Sequence, residues 1–301
     1  MAPSTLVVFG DSVNWGQGLL APHKFSTLVK ERLAARGVNL ALYMAAHSGA
    51  TIGVRGPTAI AGIDGEVPVS SPTLVEQVAT YAGDPDDVAV IILNGGINDI
   101  DIRVILNPLT TAADLRHEIT QFCGEDMLTV LMQIAVKFPK TDRIIVTSYY
   151  PVLSPESQPF RIPFLLQTYG VGMPFFMNQD LVFRKIVALC MQFWTESSVR
   201  LQHAAAACNA AVGGTRVRYA AVPFTVGNAV FAGDPWLFGL NGDFSPQDEV
   251  VAERHAACNL NIDPFDTFAR EGCYRASAGH PNVTGARKYA DAILTALGLN
   301  H

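Results

Sequence analysis

The chain has 301 residues, 49% of them hydrophobic and only 16% charged, so it can bury a large core and is not a disordered segment. Its formal net charge is −6 with no Lys/Arg cluster, which argues against a nucleic-acid partner and against strong electrostatic adhesion to anionic lipid. The length suits one large α/β domain, and the expectation is a single domain over residues 1–301.

Met1-Ala2-Pro3-Ser4 leads straight into an apolar run with no basic n-region. No secretory signal is visible, and the compartment stays open: a soluble protein, extracellular if a signal peptide preceded this sequence. Strand-like runs then recur at 5–9, 40–45, 88–93, 143–148 and 217–222. Each is short and aliphatic or β-branched without polar alternation, as expected of parallel strands covered on both faces. Helical patterns fall between or after them at 24–36, 72–81, 112–138, 179–212 and 283–297, with a break expected near Gly124. Alternating β and α predicts a doubly wound three-layer α/β/α sandwich around a mainly five-stranded parallel sheet.

Two regions exceed what such a sandwich needs, at about 152–182 and 223–272. They are read as long apolar loop insertions. The segments 159–177 and 229–240 are expected to wall a pocket, with Phe175, Phe176 and Trp236 as the side chains that touch an acyl chain; the bland alternative is packing over the core. The charge-free stretch 162–179 is broken by Pro163, Gly170, Gly172 and Pro174, whereas a membrane span needs about 20 uninterrupted apolar residues, so no transmembrane segment is expected.

Five cysteines leave at least one free thiol. Cys190 and Cys208 lie in helical runs and read as buried small hydrophobes. Cys258 and Cys273 bracket a loop, and either a bridge between them, tied to an oxidising compartment, or two free thiols fits the sequence. With no Cys-x-x-Cys and no His-Glu-x-x-His, neither a metal site nor a cofactor is expected.

Four short blocks carry chemistry: Gly10-Asp11-Ser12, Ser48-Gly49-Ala50-Thr51, Gly96-Ile97-Asn98-Asp99 and Gly279-His280-Pro281-Asn282. The first and third follow strand-like runs, at the carboxyl edge where open α/β sheets hold ligands. Each block alone reads as a turn, and Ser12 alone as a helix cap. Serine, glycine, asparagine and histidine in that order resemble the blocks of the SGNH (GDSL) hydrolase superfamily, of lipase/esterase type. The likeness spans residues 5–296, with its specific content confined to the four blocks.

The resemblance implies a flavodoxin-like fold and carboxylic ester hydrolysis through an acyl-enzyme. It assigns Ser12 as nucleophile and His280 as general base, with Ser12 N–H, Gly49 N–H and the Asn98 side chain as oxyanion donors. Asp99 is expected to brace its loop. The other histidines, His23, His47, His117, His203, His255 and His301, have no comparable setting. Apolar loops favour a lipase, phospholipase or acyl esterase acting on a small-molecule or lipid ester. A carbohydrate O-acetylesterase and a non-catalytic lipid- or glycan-binding descendant are the alternatives.

One position departs from the pattern. The family places an aspartate three residues before the histidine, where this chain has Ser277. The imidazole is then oriented by a main-chain carbonyl of Ser277 or Ala278, or by a displaced carboxylate such as Asp263, Asp266 or Glu271, or activity is lost.

Overall fold

Aliphatic runs with no polar face must be covered on both sides, and here they are. A computed structural model describes residues 3–54, 63–174 and 178–299. Its strands are β1 Thr5–Val8, β2 Ala41–Met44, β3 Val88–Leu93, β4 Ile144–Thr147 and β5 Val217–Ala220. They form one parallel five-stranded sheet in the order β2-β1-β3-β4-β5. Leu6, Val7, Val8, Ile91, Ile92 and Leu93 on the inner strands β1 and β3 are fully buried. The edge strand β2 differs: Ala41 is exposed and the rest of the strand is half-buried.

The connection from β1 to β2 runs one way across the sheet, and those from β2 to β5 run the other way. With right-handed crossovers this puts the intervening helices on opposite faces. Helices Phe25–Ala34 and Val283–Ala296 pack on each other over one face, and Leu74–Ala79, Met127–Lys137 and Gln179–Val212 form the other layer. The expected sandwich is present. Its direction reverses between β1 and β3, and the crevice outside their carboxyl ends is the place where such sheets bind ligands.

Two expectations need correction. The helical stretch 112–138 is not broken at Gly124. It runs from Ala112–Ile119 through a π-helical segment, Thr120–Asp126, into Met127–Lys137. Widening the helix absorbs the glycine and buries the Cys123 thiol beneath Gly96. The two regions read as loop insertions are also more than loop, since 152–182 holds helix Ile162–Thr168 and 223–272 leads into helices Val251–Asn261 and Thr267–Tyr274. A disulfide between Cys258 and Cys273 clamps these two helices, with Cα atoms 6.0 Å apart. Cys123, Cys190 and Cys208 are free and buried. Among the described residues, no helix is long and apolar enough to cross a membrane.

Candidate active site

The site starts where β1 ends. Gly10 takes φ +134°, and a Cβ there would sit 2.6 Å from Asn94 Oδ1, so this turn excludes a side chain. Gln77 clamps it from both sides: its Oε1 accepts from Gly10 N–H at 2.8 Å and its Nε2 donates to Gly10 O at 3.0 Å. Asp11 then caps the short helix Ser12–Trp15 by accepting from Val13 N–H at 2.9 Å. Tyr149 donates its phenol to the other Asp11 oxygen at 2.8 Å. Burial pushes the Asp11 pKa up to about 6 against these bonds. Because Asp11 serves as the cap, the Ser12 hydroxyl is left for another partner.

That partner is His280, whose Nε2 lies 2.7 Å from Ser12 Oγ across 268 residues of sequence. The histidine turn is held on all sides. Its main chain pairs with Phe238, through Phe238 N–H to His280 O at 2.7 Å and Gly279 N–H to Phe238 O at 2.8 Å. His280 N–H donates to Ser277 O at 2.9 Å. Asn282 caps the following helix by accepting from Gly285 N–H at 3.0 Å. Burial drives the His280 pKa down to about 4, so the ring is neutral near pH 7 and can accept a proton from Ser12.

The other ring nitrogen, Nδ1, is buried and has no hydrogen-bond partner. The carbonyls of Ser277 and Ala278 face the ring and act against the burial by favouring its protonated form. Each already accepts elsewhere: Ser277 O from His280 N–H at 2.9 Å, and Ala278 O from the Tyr169 hydroxyl at 2.6 Å. A carbonyl has two lone pairs, so each retains capacity for an imidazole N–H.

The second and third blocks meet the first in one cavity. Gly49 takes φ +77°, and a Cβ there would lie 2.6 Å from the Val69 nitrogen, so only glycine fits. Asn98 donates from Nδ2 to Ala50 O at 3.0 Å, which uses one of its two amide hydrogens. Asp99 accepts from Ile52 N–H at 3.1 and 3.0 Å and so ties the loop after β3 to the loop after β2, the bracing role expected of it. Burial raises the Asp99 pKa to about 7. His47 is structural as well, with Nδ1 2.8 Å from Ser48 O.

Ser12, Gly49, Asn98 and His280 all line a cavity of about 370 Å³. Its apolar wall includes Ile97, Ile102, Val152, Ile262 and Phe268, with Tyr150 and Tyr169 beside the histidine turn. Among the described residues no cluster of three or more His, Cys, Asp or Glu side chains is placed to hold a metal ion.

The outer wall is not the one expected. Thr168 and Tyr169 come from the first insertion, but the second contributes Ile262, Phe268, Ala269 and Gly272 rather than 229–240, with Cys273 and Ala276 following just beyond it. The reason lies in pairing: Leu237 bridges to Pro281 and Phe238 pairs with the histidine turn, so this segment backs the site instead of lining it. Trp236 accordingly does not line the cavity. Its ring packs on Phe224 at 5.3 Å, and Lys288 Nζ lies over it. Phe175 and Phe176 lie outside the described residues.

None of the three carboxylates considered from sequence is bonded to the imidazole. Asp263 caps Phe265 N–H, Asp266 caps Ala269 N–H, and Glu271 pairs with Arg275 on the surface. The carboxylate that reaches this region is Asp248, fully buried and hydrogen-bonded to Ser277 Oγ. Arg254, itself fully buried, pairs with Asp248 and lies 3.5 Å from Glu66. Glu66 accepts from Trp15 Nε1 at 2.8 Å and from Gly18 N–H at 3.2 Å, so this network returns to the turn just after Ser12. The sequence reading missed Asp248, Arg254 and Glu66. Their only sequence signal is a charged Asp-Glu pair in the second insertion, close to an arginine.

No family model and no curated protein matches the sequence. Among solved structures the fold is similar to that of phospholipase A1 from Streptomyces albidoflavus, with a TM-score of 0.53 and 14% identity over 98% of this chain and 100% of that one. A lipase from a goat rumen metagenome aligns over 99% of both chains at 12% identity, with a TM-score of 0.49. A carbohydrate acetylesterase from Sinorhizobium meliloti matches 73% of this chain and 84% of its own at 14% identity, with a TM-score of 0.34. At 14% identity the likeness to the phospholipase A1 is one of fold, and that fold, an α/β sandwich on a parallel sheet, is the one expected from the sequence.

Proposed function

We propose that this protein is a serine ester hydrolase of SGNH type. The observation that carries the reading is the 2.7 Å contact between Ser12 Oγ and His280 Nε2 at the floor of a mainly apolar cavity. A serine hydroxyl is a poor nucleophile until a neutral base takes its proton, and a histidine with a depressed pKa is such a base. Ser12 Oγ attacks the ester carbonyl while its proton passes to His280 Nε2. The tetrahedral oxyanion accepts hydrogen bonds from Ser12 N–H, Gly49 N–H and the second amide hydrogen of Asn98. His280 returns the proton to the departing alkoxide. Water then attacks the acyl-enzyme by the same route in reverse and releases the acid. During each transfer the imidazolium Nδ1–H points at the carbonyls of Ser277 and Ala278 in a Ser–His dyad.

The apolar wall favours an acyl chain of a lipid or small-molecule ester over a sugar acetate, whose cleft is expected to be shallower and more polar. Whole-length likeness to a phospholipase A1 fold supports the same class. The test is turnover of short- and medium-chain nitrophenyl esters together with fluorophosphonate labelling mapped to Ser12. Absence of both turnover and labelling would make the cavity a binding site and leave the non-catalytic alternative.

A further inference from the structure

The usual acid is missing, yet a buried carboxylate stands one residue contact away from the imidazole turn. Asp248 accepts from Ser277 Oγ–H, and Ser277 O in turn accepts His280 N–H at 2.9 Å. Asp248 and Ser277 are both withdrawn from solvent, Ser277 with 0% exposure and the Asp248 side chain likewise. The same segment also grips the nucleophile's side. Glu249 N–H donates to Gly18 O at 3.0 Å, and a Cβ on Gly18 would lie 2.7 Å from Ser277 Cβ and 2.9 Å from Asp248 Cβ. No room is left between the turn after Ser12, Asp248 and the histidine turn. Arg254 fixes Asp248 from behind and is itself held by Tyr274 O at 3.0 Å.

We propose that Asp248 is the positioning acid of this site, acting through the Ser277 hydroxyl on the 277–280 turn instead of through a direct bond to the imidazole. The inference rests on the reading of Ser12 and His280 as a reacting pair. A carboxylate in the family's usual place would bond Nδ1 directly. Here the serine at that place hands the anchoring to a carboxylate 29 residues upstream, while its own carbonyl stays at the ring. A buried carboxylate needs a partner of opposite charge, and Arg254 supplies it. The pair therefore holds the turn as a rigid unit, and the carbonyls that must receive Nδ1–H keep their aim.

The decisive variants are Ser277→Ala and Asp248→Asn, each alone and together, with Ser12→Ala as control. Ser277→Ala keeps the Asp248–Arg254 pair and so tests the link even where Asp248→Asn fails to fold. Sites are counted by fluorophosphonate titration, and kcat per titrated site and KM are measured on a nitrophenyl ester. Both single variants are expected to lose about 10- to 10²-fold in kcat with KM within about twofold, the cost typical of misaligned reacting groups. The double variant is expected to lose no more than the worse single one, since both break the same link. A purely structural role would instead lower the number of titrated sites and leave kcat per site unchanged. Wild-type kcat per site in Ser277→Ala, with Ser12→Ala inactive, overturns the proposal, whereas activity in Ser12→Ala overturns the underlying reading.

Discussion

Asn98→Ala separates binding from transition-state stabilisation because the proposed mechanism gives its amide a second task beside the hydrogen bond that the structure records. One N–H donates to Ala50 O at 3.0 Å and holds the loop after β3 against the loop after β2. The same two loops are tied independently by Asp99 on Ile52 N–H. Loss of the Ala50 bond therefore costs about 1 kcal/mol, with the loops still joined. For a chain of this size that lowers Tm by about 2–4 °C. Asn98 lines the cavity with Ser12 and His280, and its second N–H is the proposed oxyanion donor. If it meets the oxyanion, its removal costs about 10²- to 10³-fold in kcat, or roughly 3–4 kcal/mol of barrier. The kinetic effect then exceeds the structural one severalfold, and KM changes little because the ground-state carbonyl is bound weakly there. The assay is steady-state kinetics on a nitrophenyl ester alongside a thermal melt. A rise in KM at constant kcat refutes the oxyanion role and moves Asn98 to substrate binding. A Tm drop above about 10 °C with kcat per folded site unchanged makes it a structural residue.

Ser12→Ala is expected to abolish esterase activity and leave Tm within a few degrees, because Asp11 and not Ser12 caps the helix; retained turnover would falsify the assignment. The pH profile of kcat/KM follows the neutral fraction of His280. With its pKa pushed down to about 4, activity is expected to persist through pH 5 and to fall only as pH drops through about 4, and an acid limb centred near 6.5 would contradict that depression. Phe268 is 65% exposed yet lines the cavity, so Phe268→Ala is expected to slow long-chain esters more than acetates, by about fourfold for each methylene it covers at about 0.8 kcal/mol; equal losses at all chain lengths would place it outside the acyl path. Asp99, with its pKa raised to about 7, gives stability that is complete below its unfolded pKa of about 4 and is lost as pH rises through 7. Unfolding free energy is thus expected to fall by on the order of 2–3 kcal/mol between pH 5 and 8, and Asp99→Asn to flatten that slope in urea titrations.

The parts of this molecule that obey local rules were legible in the chain. The run 88–93 is strand β3 residue for residue, and 179–212 is one helix, because each has a continuous apolar pattern matched to its period. Ser12, Gly49, Asn98 and His280 share one cavity because each follows a strand end or precedes a helix that the sheet topology brings to one edge. The helices Val251–Asn261 and Thr267–Tyr274 escaped notice for a physical reason. The first docks through Arg254 and Cys258 and carries no apolar stripe, and the second, only eight residues long, turns its apolar side chains Phe268, Ala269 and Cys273 to the cavity and not into the core. Trp236 misled in the opposite sense, since a large aromatic in a long loop signals burial without saying which side of the loop it faces.

The charged cluster behind the histidine could not be read from sequence, because ion pairing has no period. Arg254 lies 188 residues from Glu66 and 6 from Asp248, and burial alone decides that these charges meet one another instead of water. An isolated charge in such a place would cost several kcal/mol, so each member makes the others necessary. The serine at position 277, where the pattern that the four blocks resemble has an aspartate, follows the same logic. A carboxylate at position 277 would stand beside Asp248 where both side chains are withdrawn from solvent, and two buried like charges cannot both remain ionised. Once Asp248 occupies that space with Arg254 as its counter-ion, a neutral hydroxyl is the side chain that can bond to it there. The departure at Ser277 and the buried Asp248 are therefore one structural feature, seen once in the sequence and once in the fold.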